Sequence, residues 1–169
     1  MLDVKHAIVL IGMPGSGKST VGPALAQLLG WGFVDLDEVV AAEVGDVASF
    51  IEQAGIEAFR ARERAAIASM APRNCVVSVG GGAVVDDRNR TTLSDMAHVV
   101  WLRAELATLR ANVGDGAGRP LLAGDVAAAL AELLEARTPI YALCADVTVD
   151  VDDLDPNEIA VEIVKAVSA

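Results

Sequence analysis

The sequence predicts an α/β domain built on a mainly parallel sheet. Three observations carry that expectation. Short β-branched runs alternate with longer Ala/Leu-rich segments, several of those runs are apolar throughout, and a glycine-rich loop joins the first run to the first helical segment.

The first run, Ala7–Ile11 (AIVLI), reads as a strand buried on both faces. Val21, Ala24, Leu25, Leu28 and Leu29 then recur at helical spacing, and Gly30 stands where the chain leaves the helix. Pro23, early in that helix, removes a backbone donor and is expected to distort the second turn. A second strand is expected at 32–34, followed by helical segments at 38–43, 47–53 and 57–70. The third strand is Cys75–Val79, and a helix over 88–96 leads to a fourth at 99–102. Helices at 105–112 and 126–136 precede a fifth strand at 147–151, with Pro139 interrupting the Ala/Leu pattern, and a last helix covers 156–167. Residues 113–124 stand apart. Glycines at 114, 116, 118 and 124 disfavour helix and strand, and Arg119 followed by the anchored pair Leu121-Leu122 suits a mobile, ligand-responsive lid better than a plain surface loop. No repeat or low-complexity linker divides the chain, so 1–169 reads as one domain.

Composition narrows the function. The chain has 169 residues, 53% of them hydrophobic and 22% charged, which excludes a disordered protein. Its longest uncharged stretch, 19–34, is too short and too interrupted by glycine and proline to span a bilayer, and Met1–Lys5 lacks the zones of a signal peptide. A net charge of −11 disfavours nucleic acid and anionic membrane as partners while leaving room for a small anion held by a few local cations. Six acids between Asp146 and Glu158 supply over half of that charge and read as a solvated face. Cys75 and Cys144 sit in apolar surroundings, far apart, and indicate neither a zinc site nor a disulfide framework; a reducing, cytoplasmic setting is expected. His6 and His98 flank apolar runs and read as structural or surface residues.

The strongest chemical signal is Gly12-Met13-Pro14-Gly15-Ser16-Gly17-Lys18-Ser19-Thr20. It satisfies GxxxxGK[ST] between a strand and a helix, where backbone N–H groups turn inward around phosphate oxygens. Lys18 supplies a point charge and Ser19 a hydroxyl able to hold Mg²⁺. No base-reading motif of a switch GTPase is present, and a small phosphate-loop domain with a glycine-rich lid points to phosphoryl transfer onto a small molecule. Asp35 and Asp37 lie two apart; in an extended segment both face one side, one to orient Mg²⁺ and the other to accept a proton from an attacking hydroxyl. Gly80-Gly81-Gly82 directly follows a buried strand, which suggests that something approaches the backbone closely there. Taken singly, Arg60 and Arg137 are ordinary surface arginines.

Together these segments resemble the shikimate kinase family across nearly the whole chain. GMPGSGKST, FVDLD, Phe59-Arg60, VSVGGGAV, GRPLL and RTPIY occur in the family's order. The resemblance implies a nucleoside-monophosphate-kinase-like, three-layer α/β sandwich with a five-stranded parallel sheet and a mobile lid. It also implies transfer of the ATP γ-phosphoryl group to the 3-hydroxyl of shikimate, in aromatic amino-acid biosynthesis. Matched residue by residue, Gly15, Ser16, Gly17, Lys18, Ser19 and Thr20 bind ATP. Lys18 contacts the transferring phosphate, and Ser19 and Asp35 serve Mg²⁺. Asp37 binds the acceptor hydroxyl as base, Arg60 and Arg137 hold the shikimate carboxylate, and backbone at Gly80, Gly81 and Gly82 completes the pocket. Arg119 closes from the lid onto the phosphates. Arg110 and Pro156 correspond to the adenine-flanking positions, and a monomer is expected. The chain departs from the pattern at Ile56, where an acid is common, at Ala142-Leu143-Cys144 after the tyrosine, and at Ala111, where the family often has a second adjacent arginine. The alternatives are a kinase for gluconate or another cyclitol or sugar acid, and a nucleotide-binding regulator without catalysis. The arginine pair disfavours simple sugars, and retention of Lys18, Ser19 and Asp37 disfavours the regulator.

Overall fold

The computed structural model describes residues 5–116 and 119–169. Met1–Val4 and two residues of the expected lid, Ala117 and Gly118, lie outside the described residues. Five strands, β1 (Ala7–Ile11), β2 (Gly32–Asp35), β3 (Cys75–Ser78), β4 (His98–Arg103) and β5 (Val147–Asp150), form one parallel sheet in the order β2-β3-β1-β4-β5. The helices are α1 (Lys18–Leu29), α2 (Leu36–Val44), α3 (Val47–Ala54), α4 (Ile56–Ser69), α5 (Asp87–Met96), α6 (Leu106–Val113), α7 (Val126–Cys144) and α8 (Pro156–Val167).

Right-handed crossovers sort these helices into layers. The chain leaves central β1 in one direction through α1 to β2, then returns through α4 to β3, through α5 to β4 and through α7 to β5. The direction of travel reverses after α1, so α1 lies on one face and α4, α5 and α7 on the other; α8 comes back to pack on α1. The result is a three-layer sandwich. β1 is buried along its full length, and the core continues into Val76, Val77, Val99, Val100 and Leu102 of its two neighbours. This order places the loop after β1 at the crevice where the winding reverses, which is where open α/β sheets bind ligands.

Both helical prolines behave differently from expectation. Helix α1 is unbroken over 18–29, and α7 runs through Pro139 to Cys144 instead of ending near Ala136. Pro23 and Pro139 are exposed, as are Ser19 and Glu135, whose carbonyls they leave without a donor, so water can serve those groups. Thr138 Oγ1 also donates to Leu134 O at 2.6 Å, tying the turn before Pro139.

The acid-rich C-terminal segment is exposed but does more than meet solvent. Asp146 accepts from Val99 N (2.9 Å), Asp150 pairs with Arg103, and Asp152 accepts from Glu105 N and Thr108 Oγ1. These contacts fasten the chain on either side of β5 to the ends of β4 and the start of α6. Asp155 and Glu158 form a reciprocal capping box at the start of α8, with Asp155 accepting from Asn157 N and Glu158 N and Glu158 accepting from Asp155 N. Cys75 and Cys144 are free thiols, each half-buried. Among the described residues, no helix is long and apolar enough to cross a membrane.

Loss of the α8 cap exposes two helix-start donors without an acceptor. Asp155→Ala is expected to lower unfolding free energy by about 1 kcal/mol. A shifted urea midpoint with unchanged slope checks this; an unchanged midpoint contradicts it.

Candidate active site

The loop after β1 folds back over the start of α1. Gly12 (φ 151°), Gly15 (φ 84°) and Gly17 (φ 95°) adopt positive φ. A Cβ on Gly12 would lie 2.7 Å from Leu102 O, and one on Gly15 would lie 2.8 Å from Leu109 O, so both positions require glycine on packing grounds as well. Lys18 Nζ turns back onto the loop and donates to Gly12 O (2.8 Å) and Met13 O (3.0 Å). Burial lowers the Lys18 ammonium to about 8, against the pull of Asp37.

Asp35 and Asp37 do not share an extended segment. Strand β2 ends at Asp35, which caps α2 by accepting from Asp37 N at 3.0 Å, and Asp37 lies in the first helical turn. The helix starts here because Asp35 caps it and Asp37 and Glu38 favour its positive end. Both carboxylates still line a cleft of about 660 Å³ with residues 14–20, Thr108, Asn112, Arg119 and Pro156. Asp37 is exposed to this cleft, and the partial loss of solvent raises its carboxyl above the usual value, against the pull of Lys18.

A second, smaller pocket of about 170 Å³ adjoins the first; Pro14, Asp37 and Arg119 line both. Its floor is Gly80-Gly81-Gly82, and Arg60 of α4 and Arg137 of α7 converge on it. What approaches the glycines is the site's own side chains. A Cβ on Gly80 would lie 2.8 Å from both Asp37 Oδ1 and Glu63 Oε2, and one on Gly82 would lie within 3.0 Å of both guanidinium groups. Arg60 Nη1 pairs with Glu63 Oε1 at 2.8 Å. Glu63 is 2% exposed; burial raises its carboxyl, and Arg60 opposes the rise. Arg137, 6% exposed, forms no close ion pair among the described residues; the Glu63 carboxylate, already paired with Arg60, also feels its charge. Two guanidinium groups thus share one buried carboxylate, and the positive charge left over is a place prepared for an anion.

The described residues contain no cluster of three or more His, Cys, Asp or Glu side chains suited to a metal. Mg²⁺ in phosphoryl-transfer sites needs only one or two protein oxygens beside substrate phosphates. The exposed Ser19 hydroxyl, which has no protein partner among the described residues, and the Asp35 carboxylate supply such hard oxygens in the same cleft. The residues therefore fit the ion.

The arrangement matches known proteins. A family model described as shikimate kinase matches residues 14–168. The chain belongs to the shikimate kinase family. The shikimate kinase of Salinispora arenicola is 46% identical over 165 residues, covering 95% of this chain and 97% of that protein. That of Salinispora tropica is 48% identical over 159 residues, covering 92% and 93%. The structure of Acinetobacter baumannii shikimate kinase in complex with shikimate superposes with a TM-score of 0.91 at 30% identity, covering 94% of this chain and 90% of that one. A Sinorhizobium meliloti gluconokinase, at 22% identity, a TM-score of 0.63 and coverage of 97% and 92%, shares the fold.

Most residues expected from the family pattern meet at this site. Gly15, Ser16, Gly17, Lys18, Ser19, Thr20, Asp35, Asp37, Arg119 and Pro156 line the larger cleft, and Arg60, Gly80, Gly81, Gly82 and Arg137 line the smaller. Arg110 does not join them. It is exposed on α6, whereas Thr108 and Asn112, four apart on one face of that helix, border the cleft, and Asn112 Nδ2 donates to Gly15 O at 2.8 Å. Asn112 and Glu63 join the site with no motif to mark them; for Glu63 the i,i+3 spacing from Arg60 is the signal the sequence carries.

Lys18 also sets a pH dependence of stability. Its folded value, about 8, lies below its ordinary 10.5, so the unfolded chain holds more protons in between and stability rises across that window. Relative to Lys18→Met, the wild-type protein is expected to gain stability between pH 7 and pH 10. Parallel shifts in the urea midpoints of the two proteins would contradict this.

Proposed function

We propose that this chain phosphorylates the 3-hydroxyl of shikimate with ATP, giving shikimate 3-phosphate and ADP. The observation that carries the reading is the convergence of Arg60 and Arg137, with Glu63 the one buried acid among the described residues, in a pocket that shares Asp37 with a phosphate-loop cleft. A small carboxylic acid completes that charge arrangement, and two guanidinium forks fix its orientation.

The nucleotide lies in the larger cleft with its phosphates over Gly15–Thr20 and its base toward Pro156 and Asn112. Lys18 leaves the loop carbonyls for the phosphates. Ser19 and Asp35 are the side chains that would hold Mg²⁺, which would supply charge neutralisation for the transferring phosphoryl group. The acceptor carboxylate sits between Arg60 and Arg137, with its ring over the glycine run. Asp37 accepts the proton of the acceptor hydroxyl as that oxygen bonds to the γ-phosphorus. The bond from phosphorus to the bridging oxygen breaks, and its electron pair leaves on ADP. Arg119, which borders both compartments, meets the charge developing between them. Leu122, 1% exposed, fastens the chain after Arg119 to the core, while Leu121, 48% exposed, lines the smaller pocket. The continuous sheet and core support one domain over 1–169, which we take to be a monomeric, cytoplasmic enzyme.

A panel of shikimate, quinate and gluconate with Mg·ATP tests the assignment. Turnover on gluconate with none on shikimate overturns it. Asp37→Asn should lower kcat by roughly 10²–10⁴-fold while sparing ATP affinity. Because the Asp37 carboxyl is raised and must be ionised to accept a proton, the acid limb of wild-type activity should fall above the ordinary carboxylate value of 3.8. Near-normal turnover in the variant removes Asp37 as base. Arg137→Ala should raise the KM for shikimate by roughly 10–100-fold with little change for ATP; equal KM values would exclude Arg137 from the carboxylate clamp.

A further inference from the structure

Tyr141 has no role in the contacts above, yet it heads the fully buried side chains of the molecule at 0% exposure. It lies one helical turn beyond Arg137 on α7, so both side chains leave the same face of that helix. Its hydroxyl donates to Gly81 O at 2.6 Å, and its ring packs on Trp101 of β4 with centroids 5.7 Å apart. A buried phenol is costly unless its oxygen is bonded, and phenylalanine would fill the same space without that demand. Burial pushes the Tyr141 phenol up to about 12, against the charge of Arg137 and its hydrogen bond to the phenol oxygen, which keeps the hydroxyl a donor at neutral pH.

The peptide that accepts this bond is confined on other sides too. A Cβ on Gly81 would lie 3.0 Å from Pro14 Cδ, 3.2 Å from Gly12 O and 3.2 Å from Arg137 Nη1. Gly80 O is taken by Ala83 N and Gly82 O by Val85 N, so the carbonyls of all three glycines are committed. Their N–H groups are not; among the described residues neither Gly81 N nor Gly82 N has a protein acceptor. A trans peptide points its C=O and N–H in opposite directions, and no peptide bond here is cis. Holding the Gly81 carbonyl toward Tyr141 therefore turns the Gly82 N–H the other way.

We propose that Tyr141 is a positioning residue for the acceptor, orienting the Gly81–Gly82 peptide so that the pocket floor presents its free amides beside the two arginines. Helix α7 then sets the carboxylate clamp and the pocket floor together, through Arg137 and Tyr141. The proposal rests on the reading of the smaller pocket as the shikimate site.

Tyr141→Phe removes one oxygen and keeps the ring. It should raise the KM for shikimate, and the Kd by calorimetry, about tenfold. The KM for ATP should stay within about twofold, since one bonded contact on the acceptor side is lost. Trp101→Phe loosens the ring packing but keeps the hydroxyl. It should lower the thermal midpoint while leaving the KM for shikimate within about twofold. Thermal unfolding of both variants confirms that assays are made on folded protein. A KM for shikimate unchanged in Tyr141→Phe, or raised equally in Trp101→Phe, overturns the role of the hydroxyl. Wild-type turnover is measured alongside: its absence on shikimate overturns the pocket assignment and this role with it, whereas its presence with an unaffected Tyr141→Phe overturns this role alone.

Discussion

The absence of three side chains, at residues 80–82, is the constraint on which the site depends. Strand β3 delivers the backbone to the carboxyl edge of the sheet, and there Asp37, Arg60, Glu63 and Arg137 crowd the space that Cβ atoms would occupy. Four ionisable groups from α2, α4 and α7 thus share one small region of backbone. Side chains at these positions would force the groups outward and separate the acceptor pocket from the phosphate cleft. Because Asp37 belongs to both compartments, they are joined at one carboxylate, the group proposed to touch the reacting oxygen.

Concentrating charge in this way works against stability, and the fold offsets it unevenly. Arg60 has Glu63 for a partner, and Lys18 rests on loop carbonyls. Arg137 has neither to itself. The parts with partners among the protein groups are held in place before any ligand arrives, so little reorganisation is left for the reaction itself. The unpaired part is where binding energy can be gained. The excess charge at Arg137 is an electrostatic cost that a carboxylate in the smaller pocket would remove.

The sheet and its order of elements were legible because the five β-branched runs and the helical spacings between them are strong periodic signals. The phosphate loop was legible because its chemistry is local in sequence. What escaped was set by direction and by tertiary company. Asp35 and Asp37 looked like neighbours on a strand, but the first caps a helix that contains the second. Pro139 looked like an end because the sequence does not show that Glu135 would be exposed to water. Arg110 and Asn112 are two apart on a helix and so face different ways, and only the helix's placement decides which of them borders the cleft. Glu63 and Tyr141 are ordinary residue types in helical runs; their significance comes from a glycine backbone that folds against them from elsewhere in the chain.

The acid-rich C-terminal edge also bears on how ligands arrive. Shikimate and ATP are both anions, and they approach a molecule of net charge −11 whose attractive region is a recessed pair of pockets. At long range the encounter is repulsive; within about 8 Å, the screening distance at physiological ionic strength, the arginines and Lys18 dominate. Moderate salt therefore weakens the outer repulsion more than the inner attraction. The charge distribution therefore leads one to expect that added electrolyte speeds capture of anionic ligands up to the concentration at which the recessed contacts are themselves screened, the reverse of what a cationic surface would show.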